Sequence, residues 1–449
     1  MNKLNEIKKI HFIGIGGVSM IRLAEYASNF CEVSGSDAVF NEHMDRLHNV
    51  YCYEGENCEI VKSADLVVYT SAIASNNSEL QYALKNKIKV LPRGEFLSLI
   101  AKNSKNCVAV AGTHGKTTTS AMVSHILCFA KKRVFSHFGG DSLGLVGNDF
   151  LDNNYFITEA CEYQKNFLSL NPNIGVVLNV DYDHPDSYDS LENLQNTFAE
   201  FCNHCNYKIV SEECKFIAEA NQNLITFGFN ENSDYCAKNI VEENGKFAFD
   251  IYKNGRYFVN INLAIYGKHN ILNALASVIV ADLCGTKKDD IKNALSSFCG
   301  VARRFECLGK TEKDVRVIVD YAHHPKEIAA AIDTAKQVAR GNIFVVFEPH
   351  TYSRTKALFN DFIESLYWAD TLVLLPTFPA RESYIAGGSG YDLYANMIER
   401  GYMPFYITSY EQCARFLNDI TQKNDIILIL GAGKVNQIAN LIFSMQRKH

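Results

Sequence analysis

The stretch Val108-Ala-Val-Ala-Gly-Thr-His-Gly-Lys-Thr-Thr-Thr119 decides how this chain is read. It nearly spells the phosphate-binding loop GxxxxGK[ST], but Val110 stands where the first glycine belongs and Gly112 comes two residues later. Its surroundings are those a phosphate loop requires. CVAVAG (107–112) reads as a buried strand, and TTTSAMVSHILCFAKK reads as the helix that follows. Backbone N–H groups at such a helix start attract phosphate, Lys116 adds a positive charge, and Thr117 offers a hydroxyl to magnesium. The competing reading is an ordinary strand-to-helix turn with a chance GKT, and three threonines opening a helix speak against it.

Outward from the loop, strands alternate with helices in three regions, which predicts an α/β protein with parallel sheets. The first region has strands in IHFIGIGG, CEVSGSD (31–37), DLVVYTSAI (65–73) and KIKVLPRGEFL (87–97), with helices at Met20–Ala27 and Ser78–Leu84. The polar AKNSKN (101–106) reads as a linker. The second region holds the loop, YFITEA (155–160) and NIGVVLNV (173–180). It also holds FAFDIYKNG and RYFVNINLAI, which alternate like a hairpin turning at Asn254-Gly255, and the helical GKHNILNALASVIVADL. The third follows GVARRFE (300–306), with strands in VRVIVDY, NIFVVFEP, DTLVLLP and DIILILGAG.

A chain of 449 residues requires several domains, and 47% hydrophobic with 21% charged residues fits a globular protein. A net charge of −6, from 44 basic and 50 acidic residues, gives no electrostatic reason to expect nucleic acid. Lys8 and Lys9 precede no long apolar run, so neither a signal peptide nor a membrane span is expected, and the expected location is the cytoplasm. Of the 14 cysteines, only Cys202 and Cys205 in CNHC have metal-ligand spacing. With His204 and Cys214 they make a poor zinc pattern, and reduced thiols are the expectation.

Candidate chemistry gathers at strand ends, where open α/β sheets bind ligands. Gly14 and Gly16 fit a GxGxxG dinucleotide turn, Ser19 replaces its third glycine, and Asp37 ends the second strand. Glu159 and Glu162 flank Cys161 in TEACE. Asp181, Asp183, His184 and Asp186 crowd NVDYDHPD, where carboxylates and imidazole suit Mg²⁺ near phosphates. Asn270 and Asn273 share one helix face, and spacing alone favours solvent for them. Arg303 and Arg304 read equally as a surface pair. His323, His324, His350 and Arg354 cluster after strands of the third region, and GAGK (431–434) reads as a structural turn.

Together these segments resemble the Mur ligases of peptidoglycan synthesis. HFIGIGG, SGSD, TSAI, AGTHGKTTT, TEACE, DHPD, GKHNILNALA, RRFE, DYAHHP, PHTYSRT and GAG occur in the family's order, nearly end to end. GTHGKTT resembles the family's own variant of the phosphate loop. The resemblance implies three α/β domains: a Rossmann-like UDP-sugar domain (1–104), a central ATPase (105–301) and a C-terminal α/β ligase domain (302–449). It also implies an ATP- and Mg²⁺-dependent ligation of L-alanine to the carboxylate of UDP-N-acetylmuramate through an acyl phosphate. By position, Gly112, Thr113, His114, Gly115, Lys116, Thr117, Thr118, Asn270, Asn273, Arg304 and Asp320 match ATP contacts. Thr117, Glu159 and His184 match metal ligands; Lys116, Glu159, His184 and Arg304 match catalytic positions. Gly16, Gly17, Ser36, Asp37, Ser71 and Arg93 match the UDP-sugar side, and Tyr321, His323, His324 and Arg354 the amino-acid side. No lysine lies between His184 and Lys208, unlike the sister ligases that carry a carbamylated lysine there. Ile21 and Arg22 replace a usual Ser-Gly, and Cys161 replaces a usual aspartate. A recycling ligase for murein peptides shares most of these motifs. An NAD-dependent oxidoreductase, built on GIGG and Asp37, leaves GTHGKTTT unexplained, and a non-catalytic UDP-sugar binder leaves Lys116, Glu159 and His184 without a purpose.

Overall fold

The structure, a computed structural model, describes residues 6–45, 47–140, 155–183, 187–380 and 382–446. Among them are three sheets, one per sequence region. The first has five parallel strands in the order Val50–Glu54, Glu32–Asp37, Lys9–Ile13, Leu66–Tyr69, Lys89–Pro92. Chain order thus reverses beside Lys9–Ile13, the switch point at which such sheets open a ligand crevice. The central sheet runs Arg256–Tyr266, Lys246–Lys253, Tyr235–Glu243, Leu224–Gly228, Tyr207–Ser211, Ile174–Val177, Asn106–Ala111, Tyr155–Glu159, Val134–His137. The third runs Glu306–Lys310, Arg316–Asp320, Ile426–Leu430, Ile343–Phe347, Thr371–Leu374, Phe405–Tyr406.

Side-chain pattern separates buried from half-buried strands. Ile426–Leu430 and Ile343–Phe347 are continuous apolar runs buried at every residue, as parallel strands covered by helices on both faces must be. Lys246–Lys253 alternates instead and pairs antiparallel with Arg256–Tyr266. Asn254 (φ 49°) and Gly255 (φ 74°) make its two-residue turn, both in the left-handed region that such a turn demands.

AKNSKN is not a linker. The helix Arg93–Asn103 runs into it and the next strand begins at Asn106, leaving two connecting residues. The Asn103 amide and the Ser104 hydroxyl donate back to the carbonyls of Leu99 and Ile100, so these polar side chains end the helix instead of starting a tether. The short connection matches a shared core. Phe12 and Phe96 of the first domain belong to one apolar cluster with Phe135, Phe156, Phe198 and Phe201 of the second. Tyr26 meets Phe135 at 4.8 Å between ring centroids, and Phe135 stacks on Phe156 at 5.3 Å. Cys202, Cys205 and Cys214 lie buried in this cluster.

The connection to the third domain differs. Gly300 (φ 97°), Arg303 (φ 58°) and Phe305 (φ 46°) all take left-handed backbone within six residues. A side chain there costs about 1–2 kcal/mol per residue. Hydrogen bonds hold the turn: Arg303 N–H donates to Glu306 (2.8 Å) and Phe305 N–H to Asp320 (2.6 Å).

Phe135→Ala should lower stability by about 3–5 kcal/mol, since a fully buried ring at the junction of two domains cannot be refilled. Urea unfolding followed by fluorescence and circular dichroism will measure it, and the loss will appear in both domains at once because the cluster is shared.

Candidate active site

The phosphate loop turns on two glycines. Gly112 has φ 143°, and a Cβ there would meet Leu178 at 3.0 Å; Gly115 has φ 83°, and a Cβ there would meet the Asn273 side-chain oxygen at 2.5 Å. The helix Lys116–Phe129 starts at once, with no side-chain cap on its first amides. Lys116 Nζ donates to the carbonyls of Gly112 and Thr113 and pairs with Glu162 at 3.0 Å. Burial would lower its pKa, but Glu162 and the neighbouring acids hold it above the ordinary lysine value.

Two cavities meet at this loop. The larger, of about 1000 Å³, is lined by Thr113, Gly115, Lys116 and Thr117 of the loop, by Glu159 and Glu162, by Arg304, Tyr321 and His323 of the third domain, and by Val18, Ile21 and Arg22 of the first. The smaller, of about 590 Å³, lies behind the loop. His114, Gly115, Thr118, Asn270, Asn273, Arg304 and Asp320 line it, together with the apolar side chains of Ile265, Tyr266, Leu272, Val301 and Phe305. A cavity lined by both apolar and polar side chains beside a phosphate loop suits a nucleoside.

Asn270 and Asn273 do not face solvent; each is 5% exposed. Asn273 shares its oxygen with Thr119 (3.2 Å) and donates to Asn270 (2.9 Å), which donates to the Tyr266 carbonyl (2.6 Å). Their spacing serves helix-to-helix contact as well as a surface. Asp320 accepts from Phe305 N–H and Ala322 N–H (2.7 Å), and burial pushes its carboxyl up to about 6. Arg303 and Arg304 are no surface pair. Arg304 lines both cavities, and Arg303 donates to the carbonyls of Gly431 (2.7 Å) and Gly433 (3.0 Å), so GAGK anchors the turn between the second and third domains.

The acids of NVDYD take a role that sequence did not give them. Asp181 pairs with His114 (3.3 Å) and Lys326, and Asp183 with Arg354 (2.9 Å). Both fasten the third domain to the second. His184 and Asp186 lie outside the described residues. Thr117 and Glu159 both face the larger cavity; Glu159 accepts from Gly139 N–H with one oxygen (3.0 Å), which leaves the other for a cation. Hard oxygen donors of this kind fit Mg²⁺.

On the amino-acid side, His323 Nδ1 is hydrogen-bonded to the Tyr321 carbonyl (2.9 Å), and burial pushes this imidazole down to about 3, so it is neutral. His324 turns away. Its ring caps the helix Pro325–Val338 through Lys326 N–H and packs on His114 at 4.7 Å. Arg354 is committed to Asp183.

Of the residues expected on the sugar side, Gly17 and Ser71 are exposed, and Gly16 N–H donates to Asp37 (2.8 Å). Ser36 is buried instead, its hydroxyl donating to Glu79. Arg93 donates to Ser19 Oγ (3.0 Å), which is 2.8 Å from His137 Nε2. Ser19 and His137 thus meet Arg93, and Glu327 lines both cavities, without having been singled out as binding residues from sequence.

Three family models cover the chain: Mur ligase family, catalytic domain, at residues 9–105; Mur ligase middle domain at 110–281; and Mur ligase, glutamate ligase domain, at 303–433. A UDP-N-acetylmuramate–L-alanine ligase of Clostridium tetani is 41% identical over 98% of both chains. The chain belongs to the Mur ligase family. A second relative of the same description, from Clostridium acetobutylicum, is 42% identical over 97% of this chain and 98% of its own. The crystal structure of a UDP-N-acetylmuramate–alanine ligase from Thermotoga maritima superposes with a TM-score of 0.84 at 26% identity, over 98% of this chain and 99% of that one. The three-domain α/β Mur ligase fold therefore extends through the whole chain.

His114 gives this Mur ligase a pH-dependent contact. Burial would lower its pKa, but hydrogen bonds to Asp181 and Glu327 raise it to about 9. It faces those two carboxylates and the His324 ring, with Lys326 and Arg304 on their far sides. Asp181 shares a domain with His114 and Glu327 does not, so the Glu327 part of the rise favours contact between the domains at low pH, and that advantage is lost as the pH climbs to about 9. Small-angle scattering should show the radius of gyration rising over that range, and His114→Asn should flatten the change.

Proposed function

We propose that this chain joins L-alanine to UDP-N-acetylmuramate at the expense of ATP. One observation carries the reading: all three domains line a single cavity that holds the phosphate loop, Glu159 and His323. The relatives at about 41% identity, described as UDP-N-acetylmuramate–L-alanine ligases, supply the substrates. We assign the sugar nucleotide to residues 1–104, ATP to 105–301 and closure over alanine to 302–449. No helix among the described residues is long and apolar enough to cross a membrane, and we place the reaction in the cytoplasm.

In this reading the adenosine occupies the smaller cavity and the triphosphate crosses the loop into the larger one. A carboxylate oxygen of the sugar attacks the γ-phosphorus, ADP departs and an acyl phosphate forms. The alanine amine then attacks the acyl carbon, the C–O bond to phosphate breaks, and amide and phosphate result. Phosphorylation supplies the leaving group that a carboxylate lacks. Thr117, Glu159 and His184 would hold Mg²⁺, which offsets phosphate charge when bound. Lys116 would exchange the loop carbonyls for phosphate oxygens, remaining charged throughout. His323, with Nδ1 engaged by Tyr321, presents Nε2 as an acceptor for the alanine nitrogen. Docking of the third domain excludes the water that would hydrolyse the acyl phosphate.

Phosphate release, measured with ATP and UDP-N-acetylmuramate against alanine, serine and glycine in turn, tests the assignment; release that depends on none of them would overturn it. Lys116→Ala should raise the barrier by about 3 kcal/mol or more while the sugar nucleotide still binds by calorimetry. His184→Ala should lose more activity at low than at high magnesium, because mass action offsets a missing ligand.

A further inference from the structure

Glu327, which the sequence did not single out, lies on the wall common to both cavities. It is in the first turn of the helix Pro325–Val338, whose N-terminal end faces the phosphate loop. One carboxylate oxygen is 3.1 Å from His114 Nδ1 and 3.7 Å from Arg304 Nη1; the other accepts the His323 N–H at 3.2 Å. A single side chain of the third domain therefore touches a loop imidazole of the second, an arginine of the turn between them and the backbone that carries His323. Burial works against its charge, but the protonated His114 imidazole and the Arg304 guanidinium hold it well below the ordinary carboxylate range. A structural anion could satisfy itself at its own helix N-terminus. One oxygen of Glu327 does so through the His323 N–H, and the other is drawn across the domain boundary to His114 and Arg304.

We propose that Glu327 is a positioning residue for phosphoryl transfer: docking of the third domain brings its carboxylate to His114 and Arg304 and sets both cations beside the phosphate loop. The undocked loop lacks this anchor, so the cations are arranged only when the site is closed to water. The inference rests on the ligase reading above and concerns how that site is assembled, not what it binds.

The test is a double-mutant cycle on the full chain. Glu327→Gln keeps the size and removes the charge; His114→Asn removes the imidazole. Each single variant should lower kcat for alanine-dependent phosphate release by about tenfold or more, with little change in affinity for the sugar nucleotide. The pair should fall short of the product of the singles by about fivefold or more, because both break one contact. Glu327→Asp, with the charge kept on a shorter arm, should recover part of the lost kcat. Effects that multiply, or an aspartate variant no better than glutamine, would overturn the proposal. So would a Glu327→Gln protein with unchanged kcat. A variant that fails to fold shows in its unfolding midpoint, and the aspartate variant then decides. If the unsubstituted protein releases no phosphate with alanine, the ligase reading fails instead, and the two failures are distinct.

Discussion

The left-handed turn at Gly115 is the constraint on which the rest of the site depends. A side chain at this position would strike the Asn273 amide, so only glycine lets the helices Lys116–Phe129 and His269–Leu283 close on each other. That contact buries the chain of hydrogen bonds from Thr119 through Asn273 and Asn270 to Tyr266, which forms one wall of the smaller cavity. It also fixes where the first amides of the phosphate helix point. The displaced first glycine has a comparable cause. Val110 is fully buried and sits in register with Glu159 and Val176 in the middle of the sheet, where a glycine would weaken the strand. The turn starts only at Gly112, which lies against Leu178 and the backbone of Asn179.

The two domain junctions are made of different material. First and second domains share one apolar cluster, whose burial requires no charge state and resists opening. Second and third domains meet through His114–Glu327, Lys326–Asp181 and Arg354–Asp183, with Tyr266 packing beside Phe305 as an apolar contact. Charged pairs exchange protein partners for water with little net gain, so such a face can part and rejoin. The left-handed residues at 300, 303 and 305 concentrate the bend where the interface changes character.

Much of this was legible in the sequence. Continuous apolar runs bounded by glycine turns betray buried parallel strands, and the Asn254-Gly255 dipeptide betrays its hairpin, because each is a local matter of backbone and burial. The phosphate loop is legible for the same reason. What escaped were contacts between distant segments. Nothing local says that Asn270 and Asn273 turn inward to meet Thr119, that Ser36 is bound by Glu79, or that Asp183 is claimed by Arg354, 171 residues away. His324 shows the limit most clearly. Its neighbour His323 faces the cavity, but the helix that starts at Pro325 takes the His324 ring for its cap.

Ser19 illustrates how a departure from a motif can become a structural element. In place of a third glycine it supplies a hydroxyl that accepts from Arg93 and lies 2.8 Å from His137 Nε2. Burial, with Arg93 and Arg22 nearby, pushes His137 down to about 3, so the ring is neutral and carries one N–H. If Ser19 donates to Nε2, that N–H is on Nδ1 and goes to Thr158 Oγ1 at 3.0 Å; the Thr158 hydroxyl in turn donates to the Glu159 carbonyl. The four bonds then run in one direction, from a cation of the first domain to the strand end that presents Glu159. A charged His137 would have two N–H groups and reverse the bond to Ser19, placing a second cation beside Arg93 in a buried site. The neutral ring with its N–H on Nδ1 is thus the tautomer that joins the first domain to the strand end of Glu159 by a continuous, fully donated chain across their junction.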